Sequence, residues 1–254
     1  MPQTLKKKIG KIILVGAGCG DPELLTLKAV KALQAADVIL YDALVSKEVL
    51  EMARAEAEKI PVGKKGYGVS CKQTDINEMM VRLALGGKDV LRLKGGDPLI
   101  FSRAGEEIEA ARAAGVTVEI IAGITTAQGA AAALGITLTN RESARRLQFV
   151  TGHDHKGELP QDIDWRALAD KSATSVVYMP KKTIAALSQK VQEFGLLATT
   201  PALAIMDATL PTQLVVTGTI ATLPQLMKNE KMEGAVLVII GEVVTPLLGY
   251  TNLI

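Results

Sequence analysis

The stretch Lys11-IILVGAGCGDPELLTLKA, residues 11–29, decides the fold class, because a buried-looking apolar run stops abruptly in three closely spaced glycines. A strand, a glycine turn and a helix in this order begin a strand–helix–strand unit. The turn resembles the G-x-G-x-x-G pattern that holds dinucleotides. Its sixth position, however, is Asp21, which Pro22 follows. A carboxylate there disfavours a pyrophosphate, and the plain structural interpretation is that Asp21 caps the next helix.

Composition and charge narrow the class of protein. The chain has 254 residues, 48% hydrophobic and only 3% aromatic, so its core must be aliphatic. This length allows one or two domains of roughly 100–200 residues. The net charge of +2, from 29 basic and 27 acidic residues, gives no case for nucleic acid as a partner. Cys19 and Cys71 are too few for a disulfide framework.

No segment of the sequence favours a membrane. The longest apolar runs, such as Ala235-VLVII, are much shorter than the roughly 18 residues of a membrane span. Lys6-KK before the first apolar run could mimic a signal peptide, but that run is too short and leads directly into the glycine turn. We therefore expect a cytoplasmic protein with no membrane partner.

Runs rich in Val and Ile alternate with helical patterns, which predicts an α/β fold with a mainly parallel sheet. The predicted strands begin at Ile12, Val38, Val90 and Val116 in the first half, and at Leu147, Ser175, Ala202 and Ala235 in the second. We predict two α/β domains that share a ligand cleft, an N-terminal domain over residues 1–122 and a C-terminal domain over residues 123–254.

A second glycine turn, Lys94-GGDPLIF, follows another predicted strand and again ends in Asp-Pro. Local turn chemistry alone indicates a tight turn. As a binding element, glycine lets a ligand approach the backbone, and Asp97 can accept hydrogen bonds from amino or hydroxyl groups. Two such turns suit a ligand with an amino group, a ribose or a positive centre, and they suit a polyphosphate poorly.

Eight motifs together resemble the tetrapyrrole methyltransferases, from Lys11 to about Glu242. The most specific is Arg92-LKGGDPLIFSRAGEE. The others are Val15-GAGCGDPELLTLKA, Val38-ILYDALVS, Val62-GKK, Gly123-ITTAQGAA, Leu138-TNRE, Val150-TGH and Val177-YM. The resemblance implies two α/β domains with a cleft that binds S-adenosylmethionine and releases S-adenosylhomocysteine. This cofactor carries a sulfonium and no phosphate, which agrees with carboxylate-bearing glycine turns.

Within the family, the sequence is most similar to members that methylate uroporphyrinogen III at C2 and C7, giving precorrin-2 for siroheme and cobalamin synthesis. The resemblance also implies a homodimer. Some relatives carry a fused dehydrogenase–chelatase module that this sequence has no room for, so we expect later siroheme steps to occur elsewhere.

The resemblance implies a set of cofactor-binding residues: Cys19, Gly95, Gly96, Asp97, Ile100, Thr125, Thr126, Met179 and Ala208. Three of them depart from the family pattern, which has proline at Cys19, alanine at Thr126 and glycine at Ala208. Without the family, Met179 in an apolar strand is typical of core packing.

Asp42 and Lys64 match the family's proposed acid–base residues. The reaction needs a base, because the methylated pyrrole carbon must lose a proton. Read without the family, Asp42 would be a helix cap and Lys64 a solvated loop residue. The substrate has eight carboxylates, so basic residues should line its site, and we favour Arg103 and Arg141. The wider set of candidates adds Lys65, Arg92, Arg145 and Arg146.

His153 and His155 lack the further ligands of a metal site, so we expect no metal. Three alternatives stay open: a sister methyltransferase acting on a later corrin precursor, a nicotinamide-dependent oxidoreductase, and a non-catalytic ligand-binding protein. The oxidoreductase would explain the first glycine turn but not Asp21 or the second turn.

Overall fold

The computed structural model describes residues 8–63, 71–154, 156–232 and 234–249. The chain divides into two compact units, Met1–Thr125 and Thr126–Ile254, here called the N-terminal and C-terminal units. The division at 122/123 proposed from the sequence falls slightly earlier. Each unit is built around its own five-stranded sheet, and the α/β fold class is confirmed.

The N-terminal unit is a parallel α/β layer structure. Its strands are β1 Ile12–Gly16, β2 Val38–Tyr41, β3 Glu58–Pro61, β4 Val90–Lys94 and β5 Val118–Ile121. Its helices are α1 Leu27–Ala35, α2 Lys47–Glu51, α3 Gln73–Leu85 and α4 Ala104–Ala113, with a 3₁₀ helix at Pro22–Leu24. The strand order is β3-β2-β4-β1-β5 and every pair is parallel. All carboxyl ends therefore meet at one edge of the sheet.

Both faces of this sheet are covered. Ile13 and Leu91 belong to the apolar cluster that includes residues of α1 and α2, whereas Ile12 and Val90 belong to the cluster that includes residues of α3 and α4. Strands buried on two faces read as continuous apolar runs, which is why the sequence marks them clearly. Each fully buried aliphatic side chain stabilises the fold by about 1.5–3 kcal/mol.

The predicted cap at Asp21 is confirmed, although the helix it begins is a short 3₁₀ helix. The Asp21 carboxylate accepts a hydrogen bond from the Glu23 amide at 2.8 Å, with Pro22 at the first helical position. Thr26 then caps α1 through the Ala29 amide. Two successive caps thus shape the chain that leaves the first glycine turn.

The C-terminal unit has a different sheet. Its strands are β6 Arg146–Thr151, β7 Ala173–Tyr178, β8 Pro201–Met206, β9 Leu214–Thr219 and β10 Val236–Ile240. Its helices are α5 Thr126–Leu134, α6 Trp165–Leu168, α7 Ile184–Glu193 and α8 Leu223–Asn229, with a 3₁₀ helix at Glu242–Leu247. The strand order is β6-β7-β10-β8-β9.

The prediction of a mainly parallel sheet is wrong for this second unit. β6 and β7 are parallel, whereas β7–β10, β8–β10 and β8–β9 are antiparallel. A short connection joins β8 to the unpredicted β9, and a short loop permits antiparallel pairing of neighbouring strands. Alternation of strands and helices in a sequence does not by itself specify strand direction.

In the ranges that the structure describes, no helix combines the length and the apolar character needed to cross a membrane.

Candidate active site

The two glycine turns predicted from the sequence are hydrogen-bonded to each other in the N-terminal unit. Gly18 and Gly96 form an antiparallel bridge, with the Gly96 amide donating to the Gly18 carbonyl at 2.6 Å and the Gly18 amide donating back at 3.2 Å. The Ala17 amide also donates to the Lys94 carbonyl at 2.7 Å. The loops after β1 and β4 therefore form one continuous backbone surface at the carboxyl edge of the sheet, where ligands bind in open α/β sheets.

Close backbone packing explains why glycine is required here. A Cβ atom on Gly123 would lie 2.4 Å from the Gly96 carbonyl oxygen, and one on Gly16 would lie 2.6 Å from Gly123. Gly96 also has φ +69°, a conformation that glycine adopts without strain. The glycines of three strand ends thus pack against one another, a structural role that the sequence alone does not reveal.

Asp97 ties two of these loops together. One carboxylate oxygen accepts the Leu99 amide at 2.8 Å and the other accepts the Gly123 amide at 3.0 Å. The tight-turn interpretation of Asp97 is therefore correct as far as it goes. Each carboxylate oxygen has a second lone pair, so the same side chain can still accept a hydrogen bond from a ligand.

Asp42 lies directly after β2 at the same edge of the sheet, with 28% of its side chain exposed. It does not cap α2, because Ser46 does so through the Val49 amide. Instead its carboxylate accepts a hydrogen bond from Arg92 Nη2 at 2.5 Å. A carboxylate held by a buried guanidinium and partly open to solvent can contact a ligand.

Arg92 belongs to a buried charge cluster of four side chains: Asp42, Arg92, Lys94 and Glu107. Arg92 Nε donates to Glu107 at 2.9 Å, and Lys94 Nζ donates to both Glu107 oxygens at 3.0 Å. Burial lowers the pKa of Lys94, and repulsion by Arg92 lowers it further, whereas Glu107 and Asp42 oppose the shift. Paired charges of both signs make this burial tolerable.

The candidate role of Arg92 in binding substrate carboxylates is wrong. Its side chain is only 3% exposed, and each of its three nitrogens donates to a protein group. The eight substrate carboxylates made Arg92 a candidate, but two acids of the protein, Asp42 and Glu107, already pair with it.

The two favoured substrate-binding residues are exposed. Arg103 directly precedes α4 and has φ +60°. Its guanidinium forms a two-pronged ion pair with Glu106 at 2.7 Å, which raises the pKa of Arg103. Arg141 is exposed, and its carbonyl accepts the side chain of Arg145. Arg146 pairs with Asp170. Such exposed pairs are weak, so these arginines can exchange partners for a ligand carboxylate.

Exposed apolar side chains surround the second glycine turn. Leu99 and Phe101 lie on the loop after β4 and are exposed, and Phe101 has φ +49°. Leu44, also exposed, lies against Gly95, because a Cβ there would be 3.2 Å from the Leu44 Cβ. Non-glycine residues rarely adopt positive φ, and such strain concentrates at functional loops.

Met179 is at the surface of the C-terminal unit. It follows β7 with φ +58° and 40% of its side chain exposed, and its amide donates to the Val236 carbonyl. The core role that its apolar surroundings indicate is therefore wrong. Thr126 begins α5, whose Ala127 amide lies 3.4 Å from the hydroxyl of Tyr178, the residue before Met179.

Ala208 lies on the loop after β8, between Asp207 at φ +51° and Thr209 at φ +67°. Its methyl group is buried in the apolar cluster with Val215 and Leu237, so the departure from glycine is accommodated within the unit. The Asp207 amide donates to the Ala235 carbonyl, and the Met179 amide donates to the carbonyl of the next residue, Val236. Met179 and Ala208 thus flank the start of β10 on one edge of this sheet.

The remaining predicted residues have simple positions. Cys19 and Ile100 are half-buried on the two glycine loops, and Thr125 is buried at the end of the N-terminal unit. The predicted catalytic Lys64 lies outside the described residues, as do Lys65 and His155. Among the side chains that the structure describes, no group of three or more His, Cys, Asp or Glu is arranged to hold a metal.

Comparison with known proteins identifies the family. The Tetrapyrrole (Corrin/Porphyrin) Methylases pattern matches residues 11–224. The chain belongs to this methylase family. The family resemblance read from the sequence is therefore confirmed.

Named relatives agree with this assignment. The methylase is 48% identical over 237 residues to a siroheme synthase of Chromobacterium violaceum, covering 93% of this chain and 50% of the relative. It is 46% identical over 235 residues to a siroheme synthase of Thiobacillus denitrificans, covering 92% and 49%. The methylase thus spans about half the length of these curated relatives.

Solved structures extend the comparison. A uroporphyrin-III C-methyl transferase of Thermus thermophilus, crystallised with S-adenosylhomocysteine, superposes with a TM-score of 0.79 at 36% identity, covering 93% of the methylase and 100% of that chain. A cobalt precorrin-4 methyltransferase superposes with a TM-score of 0.82 at 26% identity, covering 92% and 95%.

The strand-end loops fit S-adenosylmethionine, the methyl donor of this methylase family. Residues 16–26 and 95–102 contain no lysine or arginine, while Asp21 and Asp97 supply carboxylates. Such loops lack the cations that a phosphate would attract, and they suit a ligand with a sulfonium, an amino group and a ribose.

Sequence reasoning missed Lys94 and Glu107 as members of the site. A usable signal was present in Val90-LRLK, where Arg92 and Lys94 are two residues apart and so share one face of a strand. Two cations on a buried face require an acid from the packing helix.

Proposed function

We propose that the chain transfers methyl groups from S-adenosylmethionine to C2 and C7 of uroporphyrinogen III, giving precorrin-2. The observation that carries this proposal is the similarity to the Thermus thermophilus uroporphyrin-III C-methyl transferase, at 36% identity across the whole of that chain. The siroheme synthase relatives support the same substrate class, because siroheme is a methylated tetrapyrrole.

The proposed cofactor contacts come from strand-end loops of each unit. In the N-terminal unit they are Cys19, Gly95, Gly96, Asp97, Ile100 and Thr125, and in the C-terminal unit Thr126, Met179 and Ala208. The paired glycine turns support the first group, because their backbone is fixed before any ligand arrives. The exposed Met179, held at positive φ, supports the second group.

When bound, S-adenosylmethionine supplies a methyl group attached to a positively charged sulfur. Asp42 would then accept the proton that the methylated pyrrole carbon must lose, a role suited to a carboxylate partly open at the sheet edge. Lys64 would donate a proton or pair with a substrate carboxylate. Arg103 and Arg141, both exposed, would bind other substrate carboxylates.

The deciding experiment is an assay with uroporphyrinogen III and methyl-labelled S-adenosylmethionine, with the product absorbance recorded. We expect two labelled methyl groups per substrate and the spectrum of precorrin-2. An Asp42→Asn variant should bind S-adenosylhomocysteine like the wild type but transfer label at least about 100-fold more slowly. Absence of label from uroporphyrinogen III would contradict the proposal and would instead favour a sister methyltransferase that acts on a later corrin precursor.

We also propose that the protein acts as a homodimer in the cytoplasm and that its product enters siroheme or cobalamin synthesis. The family resemblance supports the homodimer. Light scattering on the purified protein tests the dimer, because a mass close to 26.9 kDa for the particle would contradict it.

A further inference from the structure

Glu107 is a fully buried acid that no step of the proposed reaction uses. Its side chain is 0% exposed, and it lies on α4 beneath the sheet. It accepts hydrogen bonds from Arg92 Nε at 2.9 Å, from Lys94 Nζ at 3.0 Å and from Gln73 Nε2 at 3.2 Å. A carboxylate removed from water and held by two cations is a fixed anchor for both.

Arg92 connects this anchor to the edge of the sheet. Its Nε is held by Glu107, and its Nη1 donates to the carbonyls of Leu93 at 3.2 Å and Leu40 at 3.5 Å. Because the guanidinium is planar and rigid, these contacts fix the direction of the remaining nitrogen. That nitrogen, Nη2, donates to Asp42 Oδ1.

The charges of the cluster balance. Asp42 and Glu107 supply two negative charges, and Arg92 and Lys94 supply two positive charges, so the four side chains are neutral together. Replacing Glu107 by glutamine would leave an excess positive charge in the interior and would remove the charged partner of Arg92 Nε. The guanidinium would then be free to reorient, and the hydrogen bond to Asp42 would lose its fixed direction.

We propose that Glu107 is a positioning residue, which orients the Asp42 carboxylate for proton removal by holding Arg92. This inference rests on the proposed function, in which Asp42 accepts the proton. Lys94 completes the neutral cluster, and its ammonium group donates to both carboxylate oxygens of Glu107. Misplacement of a reacting group by about 1 Å can cost about 100-fold in rate.

The test measures kcat and KM of labelled methyl transfer in the wild type, Glu107→Gln, Asp42→Asn and the double variant. Binding of S-adenosylhomocysteine and thermal unfolding are measured on each protein. Glu109→Gln is the matched control, since Glu109 is an exposed glutamate on the same helix. We expect Glu107→Gln to lower kcat about 10- to 100-fold while cofactor affinity changes less than about 3-fold.

In the Asp42→Asn background, Glu107→Gln should cost no further activity, because its effect passes through Asp42. A purely structural role would instead lower the unfolding temperature and leave kcat of the folded protein unchanged, or would cost the same factor in both backgrounds. Either result overturns the inference. If Glu107→Gln does not fold, Arg92→Lys takes its place, because lysine keeps the charge but lacks the fork that reaches both acids.

The two levels of the proposal fail in different ways. Wild-type protein that transfers no label to uroporphyrinogen III overturns the proposed function, and the inference with it. Wild-type activity with an unimpaired Glu107→Gln variant overturns the inference alone.

Discussion

The two units bury different kinds of polar group. Among the described residues, the buried ionic side chains Arg92, Lys94 and Glu107 all lie in the N-terminal unit. The buried polar side chains of the C-terminal unit are hydroxyls: Thr174, Ser175, Thr183, Ser188 and Thr200. The central strands show the same contrast, since β4 carries two cations and β10 is entirely aliphatic.

A buried ion cluster is weak evidence of stability, because the desolvation of charges offsets their attraction. In the described part of the C-terminal unit, a comparable five-stranded sheet packs around a core without buried ionic side chains. The cluster of the N-terminal unit therefore calls for another explanation, and its contact with Asp42 supplies one. The following predictions test this contrast, from the largest expected effect to the smallest.

Glu107→Ala should lower the free energy of unfolding by about 3–5 kcal/mol, because Arg92 and Lys94 lose their shared anion in the interior. Urea unfolding followed by circular dichroism measures the loss. Glu109→Ala, exposed on the same helix, should change it by less than about 0.5 kcal/mol. A loss below about 1 kcal/mol for Glu107→Ala would mean that Arg92 and Lys94 do not depend energetically on Glu107.

Gly123→Ala should cost about 2–3 kcal/mol, because its Cβ would lie 2.4 Å from the Gly96 carbonyl oxygen and would separate the strand-end loops. Cofactor affinity should fall with it. Gly105→Ala provides the control of opposite sign. That position is helical with nothing within 4 Å of the new Cβ, so a gain of about 0.5–1 kcal/mol is expected. Thermal unfolding measures both variants. Equal changes in unfolding temperature relative to the wild type would contradict the packing role of Gly123.

Ser188→Ala probes the hydroxyl type of burial in the C-terminal unit. The Ser188 hydroxyl donates to the Ile220 carbonyl at 2.6 Å, and losing that bond should cost about 1–2 kcal/mol. The urea midpoint measures it, and methyl transfer by the folded variant should be unchanged. A loss as large as that of Glu107→Ala would remove the distinction between the two interiors.

Surface carboxylates of the two units should contribute to stability with the same dependence on pH. The Asp89 amide and Arg54 lower the pKa of Asp37, and the amide and hydroxyl of Ser172 lower that of Asp170. A lowered carboxyl pKa contributes stability above the ordinary value of 3.8 and loses it as the pH falls through the folded-state value.

Asp37→Asn and Asp170→Asn should therefore each cost less than about 1 kcal/mol at pH 7, and less still near pH 3. Thermal unfolding at the two pH values checks this. A cost that grows on acidification would reverse the sign of the expected linkage.

The strands buried on two faces were predictable because their apolar runs are continuous, as in Ile12-ILV. β3 was missed because Glu58-KIP holds two charged residues and a proline on an edge strand, where burial imposes little pattern. The direction of β10 was beyond the sequence pattern, since an aliphatic strand reads the same in either orientation.

The candidate site was predictable in its residues but not in its internal contacts. The family resemblance marked Gly96, Asp97 and Asp42 as candidate site residues. It could not tell that Gly96 packs on Gly123, or that Arg92 holds Asp42, because these contacts join residues far apart in the chain. Such contacts depend on strand order, which brings β4 between β2 and β1.

The bridge between Gly18 and Gly96 couples the lengths of two loops that are 78 positions apart. Inserting or deleting a residue in either loop would break both reciprocal hydrogen bonds and would shift the other loop out of register. Engineering of new donor specificity in this scaffold must therefore redesign the two loops as a pair, and grafting one of them alone from a relative should fail.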